Sequence, residues 1–138
     1  MGTRLSKAYL LTKVLTATHQ EVVVYLYEGA IGYLHRAIGA LRVNQRGAAG
    51  TAIERTISIL IELSGSLDYT ANSRLALKLD AIYTYLIQSL AQAGGRGDIE
   101  ALESCEGVLG ILYDAWQQAA SMDPRQEPRS AHQLQISA

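Results

Sequence analysis

The sequence predicts an all-α fold, an antiparallel up-down four-helix bundle, and three observations predict it. Both prolines, Pro124 and Pro128, lie near the C-terminus, so the 123 residues before them avoid the roughly 3 kcal/mol that a proline costs in a helix interior. Apolar residues recur at three- and four-residue spacing in four separate stretches, the period of a helix with one buried face. Capping signals stand at the start of most stretches, with short polar gaps between them. With 49% hydrophobic residues in 138, the chain has enough apolar material for one domain with a core.

The first helix opens at Thr18-His19-Gln20-Glu21. This reads as a capping box, with Thr18 bonding forward and Glu21 reaching back. Val23, Leu26, Ala30, Leu34, Ala37 and Leu41 then mark one face to about Val43, and Asn44 to Gly50 form a turn. A second capping box, Thr51-Ala52-Ile53-Glu54, opens the next helix, with Ile53, Ile57, Leu60 and Ile61 inward and an end near Leu67. A third helix starts near Ser73, turns Leu75, Leu79, Ile82, Leu86 and Leu90 inward, and stops at Gly94-Gly95. Asp98 caps the fourth, whose Leu102, Cys105, Leu109, Leu112 and Trp116 share a face. The bundle thus covers residues 18–120. From 121 to 138 the chain is polar, carries both prolines and is expected to be a disordered, flexible tail.

Several function classes are excluded by composition. A net charge of −1 gives no footprint for nucleic acid. The single cysteine forbids an internal disulfide framework and suits a reducing compartment. The apolar run Ala8–Leu11 is too short for a signal-peptide core, and no window approaches the ~20 apolar residues that span a bilayer. The expected location is the cytoplasm, with no membrane insertion.

Catalytic and metal chemistry find few residues. None of His19, His35 or His132 follows a glutamate by three positions, and no His-x-x-x-His or Cys-x-x-Cys pair occurs, so no metal and no cofactor is expected. Cys105 sits between core positions, where a thiol is inert. Gly94 to Asp98 lacks the strand and lysine of a phosphate loop and reads as a turn. One chemical alternative stays open. His35-Arg36-Ala37-Ile38-Gly39 resembles the helical histidine of phosphotransfer bundles, with a glycine one turn later, although Ile38 stands where those domains carry a lysine.

Glycines and tyrosines say something different. Gly29, Gly32 and Gly39 lie inside the first helix and Gly107 and Gly110 inside the fourth, each costing up to ~1 kcal/mol relative to alanine. Either neighbouring helices approach closely there, or a groove receives a partner segment. Eight tyrosines and no phenylalanine suit half-buried positions and binding surfaces. A second apolar line on the first helix, Tyr27, Ile31, Leu34 and Ile38, either widens the core face or forms a docking strip for an amphipathic partner.

Tyr9, Val14-Leu15-Thr16-Ala17-Thr18 and Leu26-Tyr27-Glu28-Gly29-Ala30-Ile31 resemble the N-terminal signature of the FliS flagellar secretion chaperones. That signature is a tyrosine, Val-x-Thr-Ala-Ser-Pro, and Leu-Tyr-Asp-Gly-Ala-Ile ahead of a long helix. Glu62-Leu63 with Ser66-Leu67-Asp68, Leu79 with Ile82-Tyr83 and Tyr85, and Leu112-Tyr113-Asp114-Ala115-Trp116 resemble later segments of the family, in order. The sequence departs from it at His19, where proline is usual, at Asn72-Ser73, where Gly-Gly is common, and at Lys78, where asparagine is frequent.

The resemblance implies a cytoplasmic, non-enzymatic export chaperone. Its partner would be the disordered C-terminal segment of flagellin, held against premature polymerisation and delivered to the flagellar type III export apparatus. An export-gate component or a flagellar regulator is a further possible partner, and a same-fold adaptor for another flagellar client is the variant reading. In the family a short N-terminal segment packs on the bundle and gives way to flagellin; here that is residues 1–17, with Tyr9, Leu10 and Val14 as the plug. The partner-binding set expected on this basis is Tyr9, Leu10, Val14, Tyr27, Ile31, Leu34 and Ile38, with Tyr83 and Trp116 added; bundle-core membership is the competing reading for each helical residue.

Overall fold

A computed structural model describes residues 18–122. Four helices make up almost all of them: α1 His19–Arg42, α2 Arg46–Gly65, α3 Ser73–Arg96 and α4 Ile99–Ser121. The expected N-terminal segment, and nearly all of the expected tail, lie outside the described residues. Each helix packs on the next around the bundle, and α4 closes against α1.

The caps explain most boundaries. Thr18 Oγ1 accepts from the Glu21 N–H at 3.2 Å, Asn72 Oδ1 from Leu75 N–H at 3.1 Å, and Asp98 Oδ1 from Ala101 N–H at 3.1 Å. α1 ends in a Schellman motif: Asn44 adopts φ 58°, its N–H reaches Leu41 O, and Gln45 N–H reaches Ala40 O at 2.8 Å.

Three sequence expectations are corrected. α2 begins at Arg46, not at Thr51, whose hydroxyl donates back to Gly47 O from inside the helix. The Thr-x-x-Glu pattern loses to Ala48 and Ala49, strong helix formers of which Ala49 is buried against the bundle. α3 runs through Gly94-Gly95 and stops at Gly97, the residue with φ 66°. Gly94 lies close to α2, since a Cβ there would meet Ile53 Cδ1 at 3.2 Å. Leu75 and Ile61, both expected inward, are 49% and 58% exposed, and Ala76 and Leu60 take the buried positions beside them.

The bundle is antiparallel between neighbours. Glu28, His35 and Arg42 of α1 meet Tyr113, Glu106 and Glu103 of α4 in opposite chain order. Ser64 bonds Asp80, and Ile53 lies beside Gly94, in the same reversed sense across α2 and α3. The core is built of Leu34, Leu60, Leu63, Leu86, Leu90, Leu102 and Leu109, all at or below 1% exposure, with Tyr27 and Tyr83 among them. Among the described residues Thr56 is the buried polar one, and its hydroxyl donates to Ala52 O at 2.9 Å. Among the described residues no helix is long and apolar enough to cross a membrane.

Candidate functional site

The pole of the bundle where α1 begins holds an open cleft of about 230 Å³. Four elements shape it: the first turn of α1, the end of α2 with the turn that follows, the start of α3, and Trp116 of α4. The turn is fixed by Asp68, whose Oδ1 accepts from Thr70 N–H at 2.9 Å and Ala71 N–H at 3.2 Å, and from the Thr70 hydroxyl. These donors, the Thr70 hydroxyl foremost, hold the Asp68 carboxyl below its ordinary range. Ser66 donates to Leu63 O at 2.9 Å, so the turn's polar groups are bonded within itself and its apolar side chains are left facing the cleft.

The floor is Val23, Leu63, Ala76, Leu79 and Tyr83, all buried; the rim carries Leu67, Leu75 and Trp116. Behind the floor the Tyr83 hydroxyl lies 2.6 Å from that of Tyr27, with the rings tilted at 53°. Burial pushes the Tyr27 phenol far above its usual range, and the bond to Tyr83 adds to this. Burial raises Tyr83 as well, while its bond with Tyr27 pulls the other way. The Trp116 side chain lowers both, which puts its indole beside the pair. The site therefore has an apolar surface over a neutral, fully bonded polar layer. Its floor is suited to receive apolar side chains, with His19, Gln20, Ser66, Asp68 and Asn72 as the polar part of the lining.

Of the residues expected to bind a partner, Tyr27, Leu34, Ile38 and Tyr83 are buried, at 0%, 0%, 3% and 1% exposure. Ile31 and Trp116 are half-buried against the core. Tyr83 and Trp116 meet in the cleft with Tyr27 bonded behind them, whereas Ile31, Leu34 and Ile38 do not line it. Tyr9, Leu10 and Val14 lie outside the described residues. Sequence reasoning missed Leu67, Leu75 and Ala71 as a cleft wall. The available signal was the irregular polar stretch after Leu67, which separates two helix ends without closing the gap between them.

Exposed apolar residues continue away from the cleft. Ile61 and Leu77, 58% and 62% exposed, lie one turn from the bonded pair Ser64 and Asp80, on the α2–α3 seam. Tyr85 and Ile111, 64% and 73% exposed, add apolar surface on α3 and α4.

The other candidate chemistries find little. His35 is exposed, and its Nδ1 lies 3.3 Å from Glu106 Oε2, a surface pair between α1 and α4 with no second basic group bonded to it among the described residues. Cys105 is buried, and that burial raises its thiol pKa. Among the described residues no group of His, Cys, Asp and Glu could hold a metal ion.

Comparison with known proteins matches residues 1–123 to the family described as Flagellar protein FliS. The chain is 32% identical over 117 residues to the Flagellar secretion chaperone FliS of Salmonella typhimurium (strain LT2), covering 84% of this chain and 87% of that one. It is 31% identical over 107 residues to the protein of the same name from Escherichia coli (strain K12), covering 77% and 79%. It is 30% identical over 112 residues to that from Bacillus subtilis (strain 168), covering 81% and 83%.

Proposed function

The chain belongs to the FliS family of flagellar proteins, and from that premise we propose that it is a cytoplasmic export chaperone for flagellin. It binds the disordered C-terminal segment of flagellin, prevents premature polymerisation and aids delivery to the flagellar type III export apparatus. The observation that carries the reading is the open apolar cleft over the Tyr27–Tyr83 pair, continued by exposed Ile61 and Leu77 along a helix seam. A segment that folds only on binding loses its ordering entropy at that moment, so it needs a long, shallow apolar track instead of one deep pocket.

The expected binding residues divide on this reading. Trp116 and the edge of Tyr83 touch the client, Ile31 contributes through its exposed part, and Tyr27, Leu34 and Ile38 shape the surface from beneath. Tyr9, Leu10 and Val14 of the N-terminal segment, residues 1–17, are the plug expected from the family resemblance. The client displaces that plug, and the four-helix bundle is the binding unit. An export-gate component or a flagellar regulator is the expected second partner of the loaded chaperone.

Titration calorimetry against a peptide of the C-terminal ~40 residues of flagellin from the same organism tests this. One-to-one binding with a large negative heat-capacity change is expected. No heat at micromolar concentration, with the bundle shown to be folded, would remove flagellin as the client.

A further inference from the structure

The glycines of α1 fall into two kinds. A Cβ on Gly29 would meet Ile59 Cδ1 at 3.3 Å, so close packing with α2 accounts for that glycine. Gly32 and Gly39 have nothing within 4 Å of the same position. Each carries the helix cost of glycine with no internal contact to offset it. Both border open hollows on the α1–α2 side of the bundle, and the two hollows share Tyr33 and Arg36. The larger has a volume of about 660 Å³ and lies beside Gly39, Ala40 and Ala52, towards the pole opposite the cleft.

Charge distinguishes this trough from the apolar seams. Arg36 and Arg55 are the only charged residues on the larger hollow, and no carboxylate lines it, in a chain whose net charge is −1. The one carboxylate on the smaller hollow, Glu28, is bonded to the Tyr113 hydroxyl at 2.7 Å. Arg36 stacks on the Tyr33 ring at 5.3 Å. A stacked guanidinium is held by its face and keeps its in-plane N–H donors for a carboxylate, so little side-chain freedom is left to lose on binding. Val43, 65% exposed, supplies an apolar contact at the end of the trough.

We propose that this trough docks an acidic amphipathic helix of a second protein: its apolar stripe lies over Gly39, Ala40 and Ala52, and its carboxylates pair with Arg36 and Arg55. The small floor residues let a helix backbone come close, and the two arginines fix its register. The proposal does not depend on flagellin being the client, and its test contains no flagellin.

The full chain, labelled with nitrogen-15, is titrated with a synthetic helical peptide carrying a leucine–alanine stripe flanked by glutamates, and with its lysine-flanked counterpart. The glutamate peptide is expected to shift the amides of Gly32, Gly39 and Ala52. Its affinity falls about tenfold or more in the Arg36→Glu, Arg55→Glu double variant. Gly39→Leu fills the open space and blocks binding while helicity is kept. Should Gly39→Leu disturb the fold, the arginine variant, changed only at the surface, still decides. Equal binding of the lysine peptide, shifts centred on Leu75 and Trp116 instead, or no shift up to millimolar peptide would each overturn the proposal.

Discussion

The hydroxyls of Tyr27 and Tyr83 lie 2.6 Å apart, joining α1 to α3 across the middle of the bundle. Neither phenol is solvent-exposed, so each is the other's hydrogen-bond partner, with the Trp116 side chain beside them. Tyr27→Phe leaves the Tyr83 hydroxyl short of a partner and should cost ~1–3 kcal/mol in denaturant unfolding. The double variant Tyr27→Phe, Tyr83→Phe removes both hydroxyls and should cost less than the two single losses together. The pair also has a pH signature. Both folded phenols titrate above the ordinary value of 10, raised chiefly by burial. Their stabilisation is complete below pH 10 and is lost above it, as the unfolded chain releases protons that the folded chain keeps. The slope approaches ~1.4 kcal/mol per pH unit per phenol and should be absent in the double variant.

Glycine replacements should separate into three outcomes. Gly39→Ala meets open space and should stabilise by ~0.5–1 kcal/mol. Gly94→Ala should gain less, because its Cβ would press on Ile53 Cδ1 at 3.2 Å. Gly97→Ala forces a Cβ into φ 66° and should cost ~1–2 kcal/mol. Thermal unfolding of the three variants reads the order directly.

Leu75 sits on the cleft rim at 49% exposure, and so can be changed with little effect on the core. Leu75→Asp should leave the helical spectrum and the unfolding midpoint nearly unchanged, within about 0.5 kcal/mol. It should weaken the flagellin peptide by about tenfold, the loss of one buried leucine contact made worse by a desolvated carboxylate. Unchanged calorimetry would mean that the client does not use this rim.

The fold was legible because helix period, caps and proline position all favoured the same answer. Thr18, Asn72 and Asp98 act through local bonds to N–H groups three residues on, which short sequence patterns capture. The errors arose where tertiary contact outweighed a local signal. Thr51 has cap chemistry but lies inside a helix held by packing at Ala49, and Gly94-Gly95 has stop chemistry but lies inside α3, where Gly94 faces Ile53 of α2. The cleft was less legible still. Tyr83 and Trp116 were singled out, yet the wall that makes them a site comes from Leu67 and Ala71, placed by the Asp68 turn. A period along one helix carries no information about how far two helix ends stand apart. It also cannot tell Tyr27 and Ile38, which face inward, from Ile31, which lies at the boundary.

The reversed order of contacts between α1 and α4 has a mechanical consequence. Glu28 meets Tyr113 near one pole, and Thr18 and Met122 leave the bundle at that same pole. Tension applied between the two chain ends would therefore not shear the helices along their lengths, where every contact resists at once. It would unzip α4 from α1 turn by turn. The first cross-links to load are the Glu28–Tyr113 bond and then the His35–Glu106 pair, both near solvent and individually weak. A bundle loaded in this way yields at low force, and it yields first at the end that carries the cleft.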